Sequence, residues 1–95
     1  MPFAAEGVRF SAAVSMIGFC ADSGTTLSFS AGMGAARAKR FLLLSQTLTA
    51  AEAQAAGLVD FVPAPVDLLA EAEACAWRLA AGPTLAYGGS VARIV

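Results

Sequence analysis

Histidine is absent from this chain, and cysteine occurs only twice. Without histidine there is no imidazole to run a Ser-His-Asp or Cys-His nucleophile pair, and the usual zinc ligand sets cannot be assembled. Cys20 and Cys75 stand far apart with no CxxC spacing, so they read as small buried hydrophobes of a reducing compartment. Charge is scarce as well: 14% of residues are charged, and six basic against seven acidic residues leave a net charge of −1. No basic footprint for nucleic acid or anionic lipid results. Long apolar runs are also missing. The uncharged stretch over residues 23–36 is full of Gly, Ser and Thr, and no window of about 18 apolar residues could cross a bilayer. Residues 11–21 after Arg9 loosely imitate a signal-peptide core. A single upstream basic residue offset by Glu6, and Asp22 where cleavage would fall, count against that reading.

What the chain has in excess is apolar residues. They make up 58% of its 95 residues, with a mean hydropathy of +0.70, whereas a typical globular domain carries about 45–50%. A chain this short buries little more than half of its unfolded surface. Much of the excess is alanine, which favours helix and close helix packing over a bulky core. The surplus predicts a covering partner: more of the same chain, another subunit, or both.

Residues 8–11 alternate as a short strand does, and the chain then enters a loop through Ile17-Gly18 that ends at Asp22-Ser23-Gly24. Asp and Ser are preferred helix caps, so a helix is expected from there toward Ala31, broken by Gly32 and Gly34. A second helix spans Ala35 to about Leu44, with Ala38, Phe41 and Leu42 on one face. Thr49-Ala50-Ala51-Glu52 is a capping box opening a short helix that stops at Gly57. Residues 58–62 read as strand or extended chain closed by Pro63 and Pro65. A longer helix over about 66–81 has Leu68, Ala72, Cys75 and Leu79 as its apolar stripe, and Asp67, Glu71 and Arg78 as its solvated face. Gly82-Pro83 interrupts, and a last helix starts near Thr84.

The order of these pieces carries a resemblance. Phe10-Ser11-Ala12-Ala13, Ile17-Gly18 and Asp22-Ser23-Gly24-Thr25 look like the strand and active-site loop of the crotonase superfamily, the enoyl-CoA hydratase/isomerase family. Gly34 with Arg37-Ala38 and residues 42–44 is similar to its next helix. Leu48-Thr49-Ala50-Ala51-Glu52-Ala53, then Gly57-Leu58-Val59-Asp60 and Val62-Pro63, resemble its most recognisable segment, and Ala80-Ala81-Gly82-Pro83-Thr84 the approach to its later helices. The likeness runs from about residue 10 and implies an α/β, ClpP/crotonase-like fold. Residues 1–95 would form a single partial domain, a middle-to-C-terminal fragment that is mostly helical with one or two short strands and lacks the N-terminal ββα repeats. It also implies an acyl-CoA thioester substrate with no separate cofactor, trimeric or hexameric assembly, and a cytoplasmic location. Two backbone N–H groups that hold an enolate oxyanion would lie upstream of these residues.

Enolate chemistry needs a base for the acidified proton beside the thioester and donors for the charge that develops. Hydratases of the family use two glutamates; the second position matches Val14, which cannot move protons. The resemblance favours Asp22 instead, eight residues on, where isomerase-type members and the related chlorobenzoyl-CoA dehalogenases carry a catalytic Asp. The dehalogenases compared carry an aromatic residue at the Val14 position, so isomerase-type proton transfer is the more economical expectation. Ala13, Val14 and Ile17 match positions lining the family's acyl site, and read equally well as plain buried residues. Asp22 itself reads as cap and as base. A helix N-terminus favours its ionised form, and only an apolar pocket, with Phe19, Ile17 and Val14 as candidates, would oppose that. Trp77 suits an interface or core, and Arg37, Lys39 and Arg40 a solvated face rather than a CoA phosphate site. The chain departs from the family at Ala21, at residues 30–33 and at Val91, where Pro, Leu-Pro-Arg and Lys are frequent. The alternative to an isomerase is a truncated, inactive family remnant that associates with other subunits; a small secreted helical protein is a third reading.

Overall fold

The computed structural model describes residues 1–22 and 24–94. Strand β1 (Arg9–Ser11) leads into a 3-10 turn (Ala13–Ile17), then helices α1 (Thr25–Met33) and α2 (Ala35–Leu43). Strand β2 (Thr47–Thr49) runs directly into α3 (Ala50–Ala56); a second 3-10 turn (Pro65–Asp67) opens α4 (Leu68–Ala80), and α5 (Thr84–Ile94) follows. Among the described residues the two strands form one antiparallel ribbon, pairing Arg9 with Thr49, Phe10 with Leu48 and Ser11 with Thr47. A mostly helical chain with two short strands agrees with the fold that the resemblance implies, although the second strand is Thr47–Thr49.

Most helix boundaries follow local chemistry. Thr49 and Glu52 close the capping box, the Thr49 N–H donating to Glu52 Oε1 at 3.1 Å and the Glu52 N–H to Thr49 Oγ1 at 3.1 Å. Gly57 ends α3 in the left-handed region at φ 88°. Gly34, at φ 84° and ψ 153°, separates α1 from α2 in a conformation that side chains disfavour. Gly32 does not break α1, contrary to expectation, because its backbone stays helical and its missing side chain lets α1 approach the end of α3. A Cβ on Gly32 would sit 3.2 Å from the Gly57 carbonyl oxygen.

Residues 58–62 form no strand. Phe61 makes a single parallel bridge with Phe3, and the Ala4 N–H donates to the Phe61 carbonyl at 3.0 Å and the Glu6 N–H to the Pro63 carbonyl at 2.9 Å. The segment is thus held by residues 2–6, which carry no strand pattern of their own, and the rings of Phe3 and Phe61 stack at 4.8 Å.

The core is small and made largely of alanine. Ala4, Ala50, Ala53 and Val59 form one buried cluster, and Ala12, Met33, Ala38 and Phe41 another. The cross-strand pair Phe10 and Leu48, together with Leu58, packs against both and joins them. Helices α4 and α5 contribute no buried residue. Along α4 the expected stripe is half-buried at Leu68, Ala72 and Cys75 and frays at Leu79. Cys20 is exposed, not buried, and Trp77, 75% exposed, is no part of a core. With two helices lying off the core, the Cα radius of gyration is 15.4 Å, against about 12 Å for a compact chain of this length.

Candidate functional site

Three elements converge on a cleft of about 240 Å³. The end of β1 and the chain leaving it supply Ser11, Ala12, Ala13 and Val14; the loop before α1 supplies Ala21 and Asp22, and α1 itself Thr25 and Phe29; and α2 supplies Leu42. The walls are mostly apolar, and Asp22 is the one titratable side chain among the described residues lining them.

Each wall has a local cause. After Ala12 the chain tightens into the 3-10 turn, which Gly18 closes in the left-handed region at φ 78°. The Phe19 N–H then donates back to the Val14 carbonyl at 3.0 Å. Ser15 Oγ donates to the Leu42 carbonyl at 2.8 Å, tying the turn that carries Ala13 and Val14 to the last turn of α2. On the opposite wall, the Asp22 carbonyl accepts two hydrogen bonds from Thr25, one from its N–H at 2.9 Å and one from Oγ1 at 2.6 Å. These hold the backbone of Asp22 against the first turn of α1.

Helix capping does not take up the Asp22 side chain. The N-cap is Gly24, at φ 77°, and among the described residues no side chain caps the helix. Asp22 meets α1 through its carbonyl, because a glycine at the cap position leaves that backbone oxygen to receive the Thr25 donors. Ser23, the other expected cap, lies outside the described residues.

Of the residues singled out in the sequence, Asp22, Ala13 and Val14 come together in the cleft and Ile17 does not line it; its side chain is 68% exposed. Phe19, also 68% exposed, gives Asp22 no apolar shell, and Asp22 itself is exposed. The sequence does not single out Thr25 and Phe29, although their spacing of four residues puts both on one face of the helix expected after Asp22. The pattern along α2 assigns Leu42 to its core face alone.

The clearest electrostatic shift lies elsewhere. The Glu52 carboxyl is held below its usual 4.5 by the backbone N–H and then the side chain of Thr49. Glu52 shares an open hollow with Arg40, Gln46, Thr47 and Leu48. A carboxylate beside Arg40 makes that hollow a poor seat for a phosphate. Arg37, Lys39 and Arg40 are all exposed. Among the described residues no three His, Cys, Asp or Glu side chains gather to hold a metal ion.

A sequence model of the enoyl-CoA hydratase/isomerase family matches residues 1–89. Solved structures agree in fold. An enoyl-CoA hydratase from Mycobacterium avium is 29% identical, with a TM-score of 0.85 over 97% of this chain and 42% of its own. A Pseudomonas aeruginosa protein is 36% identical, with a TM-score of 0.81 over 93% of this chain and 37% of its own. A Mycobacterium abscessus protein described as an enoyl-CoA hydratase/isomerase is 36% identical, with a TM-score of 0.81 over 86% of this chain and 32% of its own. No curated protein matches. The chain therefore spans between a third and a half of two of these relatives and just under a third of the other. With the family pattern running through almost the whole sequence and the same arrangement of helices and strand pair in three dimensions, this chain belongs to the enoyl-CoA hydratase/isomerase family.

Proposed function

We propose that these residues form the base-bearing part of an acyl-CoA site that shifts a double bond by proton transfer, with Asp22 as the base. The observation that carries this reading is a mostly apolar cleft whose one titratable lining residue is Asp22, facing Ala13 and Val14. An apolar cleft suits an acyl chain, and a lone carboxylate at its edge suits a single base that takes a proton from one carbon and returns it to another. The electron pair moves through the thioester enolate, so no oxidant, reductant or metal is consumed. Val14, at the position of the family's second glutamate, leaves hydration without its second acid–base group. The donors that stabilise the enolate oxygen are assigned to chain outside these 95 residues, and the CoA thioester enters as substrate. Ala13 and Val14 contact the acyl group in this reading. Ile17, which does not line the cleft, has no part in this reading.

Association with other subunits, without catalysis, is the second reading. It draws on the exposed apolar side chains of α4 and α5, among them Leu69, Trp77, Leu85 and Ile94.

Turnover separates the two. A β,γ-enoyl-CoA is incubated with the purified chain alone and mixed with a full-length family member, and conjugation with the thioester is followed by absorbance. The expected result is isomerisation that Asp22→Asn reduces by at least about 100-fold. Absence of any double-bond shift in both settings, or an Asp22→Asn variant as active as the parent, removes the catalytic reading.

A further inference from the structure

We infer that Phe29 sets the length of acyl chain the cleft accepts, an inference that rests on reading the cleft as the acyl site. Thr25 and Phe29 both line it and stand four residues apart on α1. They therefore share a face, with Phe29 about 6 Å farther along the axis from Asp22. Asp22 is exposed, whereas Thr25 and Phe29 are half-buried, so we place the mouth at Asp22 and the inner end at Phe29. Leu42 of α2 lines the same cleft and packs, as Phe29 does, against the buried cluster that holds Phe41.

The phenyl ring is not free to swing away. It meets Phe41 edge-to-face, with centroids 5.3 Å apart and planes at 65°. Phe41 is 2% exposed, the largest fully buried side chain, and so has no space into which to retreat. A flat ring held on a buried partner is a rigid stop, whereas an unbranched side chain in its place would yield. A chain entering past the carboxylate gains about fourfold in affinity with each methylene taken out of water. That gain ends when the terminal carbon reaches the ring, because further methylenes have to stay in solvent.

The test is a calorimetric titration of saturated straight-chain acyl-CoAs, acetyl through decanoyl, with free CoA as reference, against the full chain. Phe29→Ala opens the inner end, and Phe29→Trp fills it; helical circular dichroism checks that both variants fold. The expected result is an affinity that climbs with chain length and then levels off, at a longer chain in Phe29→Ala and a shorter one in Phe29→Trp. A plateau at the same length in all three proteins overturns the role of Phe29 and leaves the acyl reading intact, as does a uniform weakening at every length. If no acyl-CoA binds more tightly than CoA itself, the acyl reading of the cleft fails first and this inference with it.

Discussion

Gly57 shows how much a single residue decides here. It sits at φ 88°, and a Cβ built on it would lie 2.5 Å from the carbonyl oxygen of Gly32. Any side chain is therefore strained by its backbone and blocked by α1 at once, and the blocking atom is backbone that cannot swing aside. Gly57→Ala is expected to cost more than about 1 kcal/mol, seen as a lowered midpoint in urea unfolding with no compensating change in slope. Gly88 offers the contrast within the same chain. It lies inside α5 with nothing within 4 Å of the added Cβ, so Gly88→Ala is expected to raise helicity, alanine being favoured over glycine by roughly 0.8–1 kcal/mol in a helix interior. The left-handed turn at Gly57 could be foreseen, since glycine after a capped helix is its common end. The approach of Gly32 could not, because residues 32 and 57 are brought together only by packing.

Helix α3 is the best-determined element. Its start rests on the reciprocal bonds between Thr49 and Glu52, and its buried face on Ala50 and Ala53, which pack in the core cluster with Val59. Thr49→Ala removes one half of the box and is expected to cost about 1 kcal/mol of stability, read from thermal or urea melts. Glu52 adds a pH dependence of known sign. Its carboxyl is lowered from 4.5 in the folded chain, so its contribution is present above that value and is lost as pH falls through the folded value. Glu52→Gln should therefore flatten the fall in melting temperature as pH drops below 4.5, relative to the parent. An unchanged acid limb would show that the exposed carboxylate contributes nothing to folding. Strand β2 was not legible in the same stretch. Thr47, Leu48 and Thr49 are too few to show a period, and they become a strand only because Phe10 and its neighbours lie alongside.

Across the whole molecule, the buried core residues come from α1, α2 and α3 and from Ala4, Ala5, Ala12 and Val59 outside the helices, with the strand pair packed against them. Helices α4 and α5 bury nothing fully, and α5 is 11 residues long with two adjacent glycines. A helix of that length is marginal in water without tertiary support. Native-state hydrogen exchange is expected to rank the amides accordingly, with α2 and α3 protected most and α5 exchanging fastest; equal protection in α5 and α3 would mean that the last helix is covered in solution. The large apolar content of the sequence anticipated this exposure, because a chain of this size cannot hide so many apolar side chains within itself.

Local chemistry was enough to determine the capping box, the stops at Gly34 and Gly57, the apolar face of α2 and the order of segments that marks the family, because each depends on residues a few positions apart. The cleft was legible in part: Ala13, Val14 and Asp22 were named from that order of segments. Its far wall, Phe29 and Leu42, the exposure of Ile17, and the pairing of residues 2–6 with 60–63 were decided only when distant segments met. Which side of a turn faces a cleft, and which oxygen receives a helix's first donors, depends on what packs opposite, and no pattern along the chain records that.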